Sequence, residues 1–544
     1  MSCKSTIQEW HHAIDVLTSS AADFPSMKDE ILHILKYSYD NLNGEVAKSC
    51  FLYCSLFPED YLIDKERLID YWICEGFVDE NQGRERARNQ VYEILGTFVR
   101  ACLLVEGEMK NISYVTMHDV VRDMALWIAS DLGNDKETYI VQAGVGLRKM
   151  PNVKNWQGVR KMSLMRNNIE MICGSPVYPN LTTLFLQKNK SLVYISAGFF
   201  MNVPMLVVLD LSGNLCLSEL PLFQLVSLRY LDLSRTSLER FHVGLQEFKK
   251  LIHLNLESTG KLESISGILN MSSLRSLGLQ GSSKTLDMSL LKELQLLEYL
   301  EKLTIDISSG IVLEQLLSSH MLVKRIQKLG INNLGESMKV LTLPTTWDLR
   351  RLNLSACRMR EIQIERTTFS LNNTGLTTTT PCFSNLSRID ISICYLLKDL
   401  TWLVFAPNLL HLRVTCSHHL EEIISKEKAV RVPFQKLRSL YLSHSPMLKS
   451  IYRSPLSFPC LSKISIEGCP MLTKLPLDSN SVVRFEVFFL EYREEEWIKE
   501  VEWEDEATQL RFLPFCKLVP DLTIMPNKSN THTESINSVA GSSQ

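Results

Sequence analysis

The segment LRYLDLSRTSLERF, Leu228 to Phe241, sets leucines at 228, 231, 233 and 238 among polar and aromatic residues. Alternation over so short a run predicts a half-buried strand, with the four leucines inward and Arg229, Tyr230 and Asp232 outward. Working outward from Leu231/Leu233, the same pair recurs at Leu184/Leu186, Leu209/Leu211, Leu254/Leu256 and Leu277/Leu279, with steps of 25, 22, 23 and 23 residues. It continues less cleanly at Leu303/Ile305, Leu329/Ile331, Leu352/Leu354, Ile389/Ile391, Leu412/Val414, Leu440/Leu442 and Ile464/Ile466. A leucine pattern with this period is that of a leucine-rich-repeat solenoid, a parallel-β horseshoe. One repeat cannot bury its apolar edge, whereas a stack of them forms a continuous core.

The solenoid is expected over residues 159–490. The turn position that bonds backbone is met by Asn189 and Asn214, and later by Cys357, Cys394 and Cys469. At Cys416 the spacing is one residue short, which predicts a distorted turn. Residues 365–383, ERTTFSLNNTGLTTTTPCF, break the period and read as an extruded loop. The outward position before each strand leucine turns basic late in the array, at Lys302, Lys328, Arg351, Arg388 and Lys463, interrupted by His411 and Ser439. That stripe is either ordinary solvation or a surface for an acidic protein partner.

Residues 26–130 have a helical texture. Ser26 reads as an N-cap with Asp29 three residues on, ahead of Ile31, Leu32, Leu35 and Tyr39 at helical spacing. Two further helices flank Pro58 and end at Gly76, and an amphipathic segment runs over 87–100. Short strands near 103–105 and 113–116 complete a winged-helix pattern, so the fold class is α/β: an α-rich winged helix, then the solenoid. Winged helices often bind DNA. Lys48 to Glu80, however, holds three basic residues against eight acidic ones, and phosphates would repel it. Protein contact is the expectation, and nucleic acid is not. In the following YVTMHDVVRDMALWIAS, Asp119 is placed to cap a helix whose apolar side is Val120, Met124, Leu126 and Ile128, with His118 just outside.

The totals agree with a binding role. Lys and Arg number 58 against 61 Asp and Glu, a net charge of −3, which gives no bulk attraction to nucleic acid or anionic membrane. The 14 cysteines form no CxxC pair or framework, which suits a reducing compartment. Cys50 and Cys54 read as small buried hydrophobes rather than metal ligands. No signal pattern, lipidation signal or membrane-length apolar run is present, and no Ser/His/Asp or Cys/His constellation has supporting context. The expectation is a cytoplasmic protein that is not an enzyme, with peripheral plasma-membrane attachment left open.

KSCFLYCSLFPEDYLI (Lys48–Ile63), LIDYWICEGFV (Leu68–Val78) and MHDVVRDMALWIAS (Met117–Ser130), followed by irregular leucine-rich repeats, resemble the coiled-coil NB-ARC leucine-rich-repeat class of plant disease-resistance proteins. The resemblance implies an intracellular immune receptor that meets a pathogen effector or a guarded host protein through its repeats. It also implies contact with a nucleotide-binding module, within the chain or from another chain. The family's MHD motif falls on Met117, His118 and Asp119, which makes His118 a ligand for an ADP phosphate and Asp119 its support. The sequence departs from the family in having no GxxxxGK[ST] phosphate loop and no coiled coil. Phosphate affinity comes from such a loop, so no ADP or ATP binding is expected of this chain alone. Residues 1–25 then read as a remnant of the helical NB-ARC subdomain and 131–158 as a linker. Residues 491–525 read as an acidic cap, and 526–544 as a disordered tail.

Two other readings remain at this stage. In one, the chain belongs to a full-length ADP-off/ATP-on switch whose phosphate-loop domain is missing from this sequence. In the other it is an extracellular receptor ectodomain, disfavoured by the missing signal and the lack of an LxGxIP consensus.

Overall fold

The computed structural model describes residues 31–519, apart from short internal stretches of which 366–382 is the longest. The cap expected at Ser26, the 1–25 remnant, most of the Thr-rich loop and the tail lie outside the described residues.

The N-terminal unit comprises α1 (His33–Asp40), α2 (Gly44–Cys54), β1 (Ile63–Asp64), α3 (Lys65–Glu75), α4 (Arg84–Arg100), the hairpin β2 (Val105–Met109) and β3 (Ile112–Thr116), and α5 (Asp119–Ala129). β3 lies between β1 and β2, antiparallel to both, which makes the wing. Local signals set the ends of α3. The Asp64 carboxylate accepts from the Glu66 and Arg67 N–H groups, and Gly76 stops the helix in the left-handed conformation (φ 80°). On α2, Cys50 and Cys54 are buried, and the Cys54 thiol donates to the Cys50 carbonyl. Of the α1 periodicity, Leu32 is buried but Ile31 is exposed.

The solenoid is a sixteen-stranded parallel sheet whose strands follow sequence order from Tyr139–Val141 to Cys516–Leu518. Register is strict: Leu231 pairs with Leu209 on one side and Leu254 on the other. These leucines are fully buried in one continuous core. The sheet overruns the expected boundaries at both ends. Tyr139–Val141, within the segment expected as a linker, pairs with Lys161–Ser163, and the acidic segment adds Cys516–Leu518 beside Phe489–Tyr492.

The turns after many of the strands repeat one geometry. Asn189 Nδ2 donates to the carbonyls of Leu164 and Leu186 at 2.9 and 3.0 Å, and Asn214 does the same to Leu186 and Leu211. Asn167, Thr236 and Thr259 occupy the same rung. Cys357, Cys394 and Cys469 replace amide with thiol, each donating to a nearby carbonyl. The distortion expected at Cys416 does not occur. Ser417 is the rung residue, and Cys416 takes the left-handed position just before it (φ 51°). Lys188, Arg235, Ser258, Ala356, Ile393 and His444 adopt that conformation at the same position of their own repeats. The rung accepts Ser and Thr as well as Asn and Cys, which is why a search for Asn or Cys misplaced it.

Candidate functional site: the concave face

The outward faces of the strands line the inside of the horseshoe, and the winged helix is docked on its N-terminal half. A second apolar cluster joins the winged-helix core to Met165, Phe185, Val208, Tyr230 and Ile252 of the solenoid. Tyr230 and Asp232, expected to face outward, do leave the solenoid core, but α3 covers them and both are buried. The Tyr71 ring lies 4.9 Å from Phe185 and 4.7 Å from Tyr230, and Tyr230 stacks on His253 at 4.4 Å.

A polar ring surrounds this aromatic patch. Arg67 reaches Asp232 at 3.0 Å and Asp210 at 3.8 Å, the same column of consecutive strands. The Tyr71 hydroxyl donates to Asp210 and accepts from Gln187 Nε2 at 3.3 Å. Glu75 pairs with Lys161 at 2.8 Å and accepts from the Thr183 hydroxyl. Asp70 lies 3.4 Å from His253 Nδ1 and 3.8 Å from Lys302. Burial, followed by the charge of Asp210, pushes the Asp232 carboxyl above its ordinary range despite Arg67. Burial also lowers Lys161, which Glu75 only partly offsets. Two of the acidic residues that argued against DNA, Asp70 and Glu75, face cations of the chain's own repeats here.

The wing makes a separate contact further along. Glu108, on β2, accepts from both terminal nitrogens of Arg438 at 2.7 and 3.2 Å. Beyond it the concave face is open among the described residues. A hollow of about 340 Å³ is lined by Arg388, Asp390, His411, Arg413, Tyr441 and Lys463 among others.

The five residues of the basic stripe do not form an unopposed cationic surface. Lys302 faces Asp70 of the winged helix; Lys328 meets Glu257 at 3.0 Å and Lys463 meets Glu491 at 2.6 Å. Arg351 and Arg388 share Asp390 at 3.1 and 2.9 Å. Burial works to raise Asp390, but the two guanidinium groups outweigh it and hold the carboxyl below its usual range.

His118 and Asp119 lie away from this face. The His118 side chain is 70% exposed, and its Nδ1 contacts the Asp119 carboxylate. Asp119 is not the cap: His118 occupies the N-cap position without a side-chain bond, and Asp119 is the first helical residue, accepting from the Val120 N–H at 2.6 Å. The buried side of α5 is Val121, Met124, Ala125 and Trp127, while Val120, Leu126 and Ile128 are only partly covered. As a phosphate site this offers one imidazole nitrogen beside a carboxylate. A nucleotide diphosphate needs several converging donors, so the described residues do not by themselves fit the group.

Arg67, Asp70, Tyr71 and Glu75 were not singled out by sequence, nor were Phe185, Asp210 and Asp232. A signal was present. The outward columns of the early repeats hold Phe185, Val208, Tyr230, Asp210 and Asp232, a face too apolar and too acidic for simple solvation.

Comparisons with known proteins agree with this architecture. Residues 56–125 match the family model described as the disease resistance protein winged helix domain, and residues 158–483 match that of the leucine-rich repeat region. The chain is 60% identical over 522 residues to Disease resistance protein RPS5 of Arabidopsis thaliana, covering 94% of this chain and 58% of that protein. It is 59% identical over 524 residues to Disease resistance protein SUMM2 of Arabidopsis thaliana, covering 95% and 58%. Among solved structures, the leucine-rich-repeat protein LIC12759 of Leptospira interrogans is 18% identical with a TM-score of 0.38, over 67% of this chain and 94% of that one. The chain thus spans about three fifths of the length of the curated relatives it matches. Among the described residues no helix is long and apolar enough to cross a membrane. The chain belongs to the family of disease-resistance proteins that join a winged helix to leucine-rich repeats.

Proposed function

We propose that this chain serves as the recognition part of an intracellular immune receptor, binding a partner protein with the C-terminal half of its concave face. The observation that carries the reading is the division of that face. α3 fills the N-terminal half through Arg67, Tyr71 and Glu75, whereas the strands from Arg388 to Lys463 surround an open hollow. The partner is a pathogen effector or a guarded host protein, and the work is binding rather than catalysis, in the cytoplasm. A nucleotide role for His118 would need a phosphate cradle supplied by residues other than those described.

The test is transient expression in leaf tissue of a full receptor carrying these repeats, comparing wild type with Arg351→Gln/Arg388→Gln. Loss of the defence response at unchanged protein level is expected. An undiminished response would overturn the assignment of recognition to this half.

A further inference from the structure

Three carboxylates of the winged helix meet cations of the concave face: Glu75 with Lys161, Asp70 with Lys302, and Glu108 with Arg438. The molecule therefore displays on itself what this face captures. Beside Arg438 the same chemistry recurs without a winged-helix partner among the described residues. Arg413 lies over the Tyr441 ring at 4.4 Å, is exposed, and meets no carboxylate among the described residues. Lys463 and Lys517 both approach the Phe489 ring, at 5.0 and 5.7 Å. In the wall between, the Nε2 of His411 is buried without a hydrogen-bond partner among the described residues. Burial first, then the charges of Arg388 and Arg438, push that imidazole down to about 4, with Asp390 and Glu108 opposing them. A guanidinium held over an aromatic ring by the cation–π attraction keeps N–H groups available to bond an anion.

We infer that the hollow around Arg413, whose other lining cations Arg388 and Lys463 already hold Asp390 and Glu491, receives an acidic segment of a partner protein that extends to the neighbouring Arg438 and competes there with Glu108 of the wing. The inference rests on the recognition role proposed above and names the chemistry of the partner. Because Glu108 and Arg438 are each about two-fifths exposed, at 42%, an incoming carboxylate can reach Arg438 without unfolding anything. Binding at the hollow and release of the wing tip are thereby linked through one shared guanidinium.

The experiment is fluorescence anisotropy on the full chain with fluorescein-labelled octaglutamate, and with octaglutamine as the uncharged counterpart. Octaglutamate should bind saturably and octaglutamine should not. Arg413→Gln should weaken the affinity about tenfold, the size of one lost charge-assisted contact. Glu108→Gln should tighten it, because the competitor for Arg438 is gone. Lys328→Gln, which breaks only the pair with Glu257, should leave it unchanged. Equal binding of the two peptides, no binding of either, or indifference to both Arg413→Gln and Glu108→Gln would overturn the inference. Tighter binding of oligothymidylate than of octaglutamate would overturn it in favour of a different polyanion. The leaf assay is independent: a defence response that depends on Arg351 and Arg388, with no octaglutamate binding, removes the acidic-partner inference and leaves the recognition role standing.

Discussion

The Arg67 guanidinium lies 3.0 Å from the Asp232 carboxylate, joining residues 165 positions apart across the boundary between winged helix and solenoid. Asp210 stands on the neighbouring strand and shares the guanidinium at 3.8 Å. Two carboxylates stacked on adjacent strands would repel each other in a solenoid standing alone. Arg67 and the Tyr71 hydroxyl satisfy them, so the repeats are built for an occupant at this place.

The Asp232 carboxyl titrates above its ordinary range, because of burial first and then Asp210. An acid with a raised folded value binds its proton more tightly folded than unfolded. Its favourable contribution is therefore present below the unfolded value and is lost as pH rises through the folded one. Lowering the pH from neutral through this raised range should stabilise the wild type relative to Asp232→Asn. Urea midpoints measured for both proteins at stepped pH values check this, and parallel pH dependences would contradict it.

Tyr230 is 1% exposed between Tyr71 and His253. Tyr230→Ala should cost about 3–5 kcal/mol from lost burial and the cavity left behind. Because the ring contacts both units, limited proteolysis should also cut the chain between α5 and the first strand of the solenoid faster than in wild type. Destabilisation without faster cleavage there would place the effect in the solenoid alone.

The rung amide of Asn189 satisfies two buried carbonyls and accepts from the Ile169 N–H at 3.3 Å. Asn189→Ala should cost about 2–4 kcal/mol through groups left without partners. Asn189→Cys should recover part of that loss, since Cys357 donates to carbonyls at 3.4 and 3.3 Å from the same position. Chemical denaturation of the three proteins orders them, and an Ala variant as stable as wild type would show the rung bonds to be dispensable.

The solenoid was legible because a leucine alternating with exposed residues leaves a period that needs no tertiary information. The winged helix was legible from helical spacing and the glycine stop at Gly76, whereas the cap expected at Asp119 was not found. The docking was not, because it depends on side chains that meet across a long sequence separation. Arg67 on an acidic helix reads as a solvated charge, and Asp232 in a strand reads as an outward polar residue. Only when α3 is laid on the strands do both become buried. The surroundings of the basic stripe were hidden for a related reason. Lys328 and Lys463 stand in a basic column, but their carboxylate partners, Glu257 and Glu491, stand in columns beside it. A column read singly overstates the charge.

A double-mutant cycle on Arg67→Met and Asp232→Asn, followed by urea denaturation of the full chain, tests the docked arrangement most directly. Breaking a buried pair from one side should cost about 3 kcal/mol, the low end for such pairs because Arg67 retains some solvent contact. The double variant should be less destabilised than the sum of the singles, with a coupling energy of about 1–3 kcal/mol. Additive effects would mean that the two residues do not meet, and that the winged helix does not rest on the concave face.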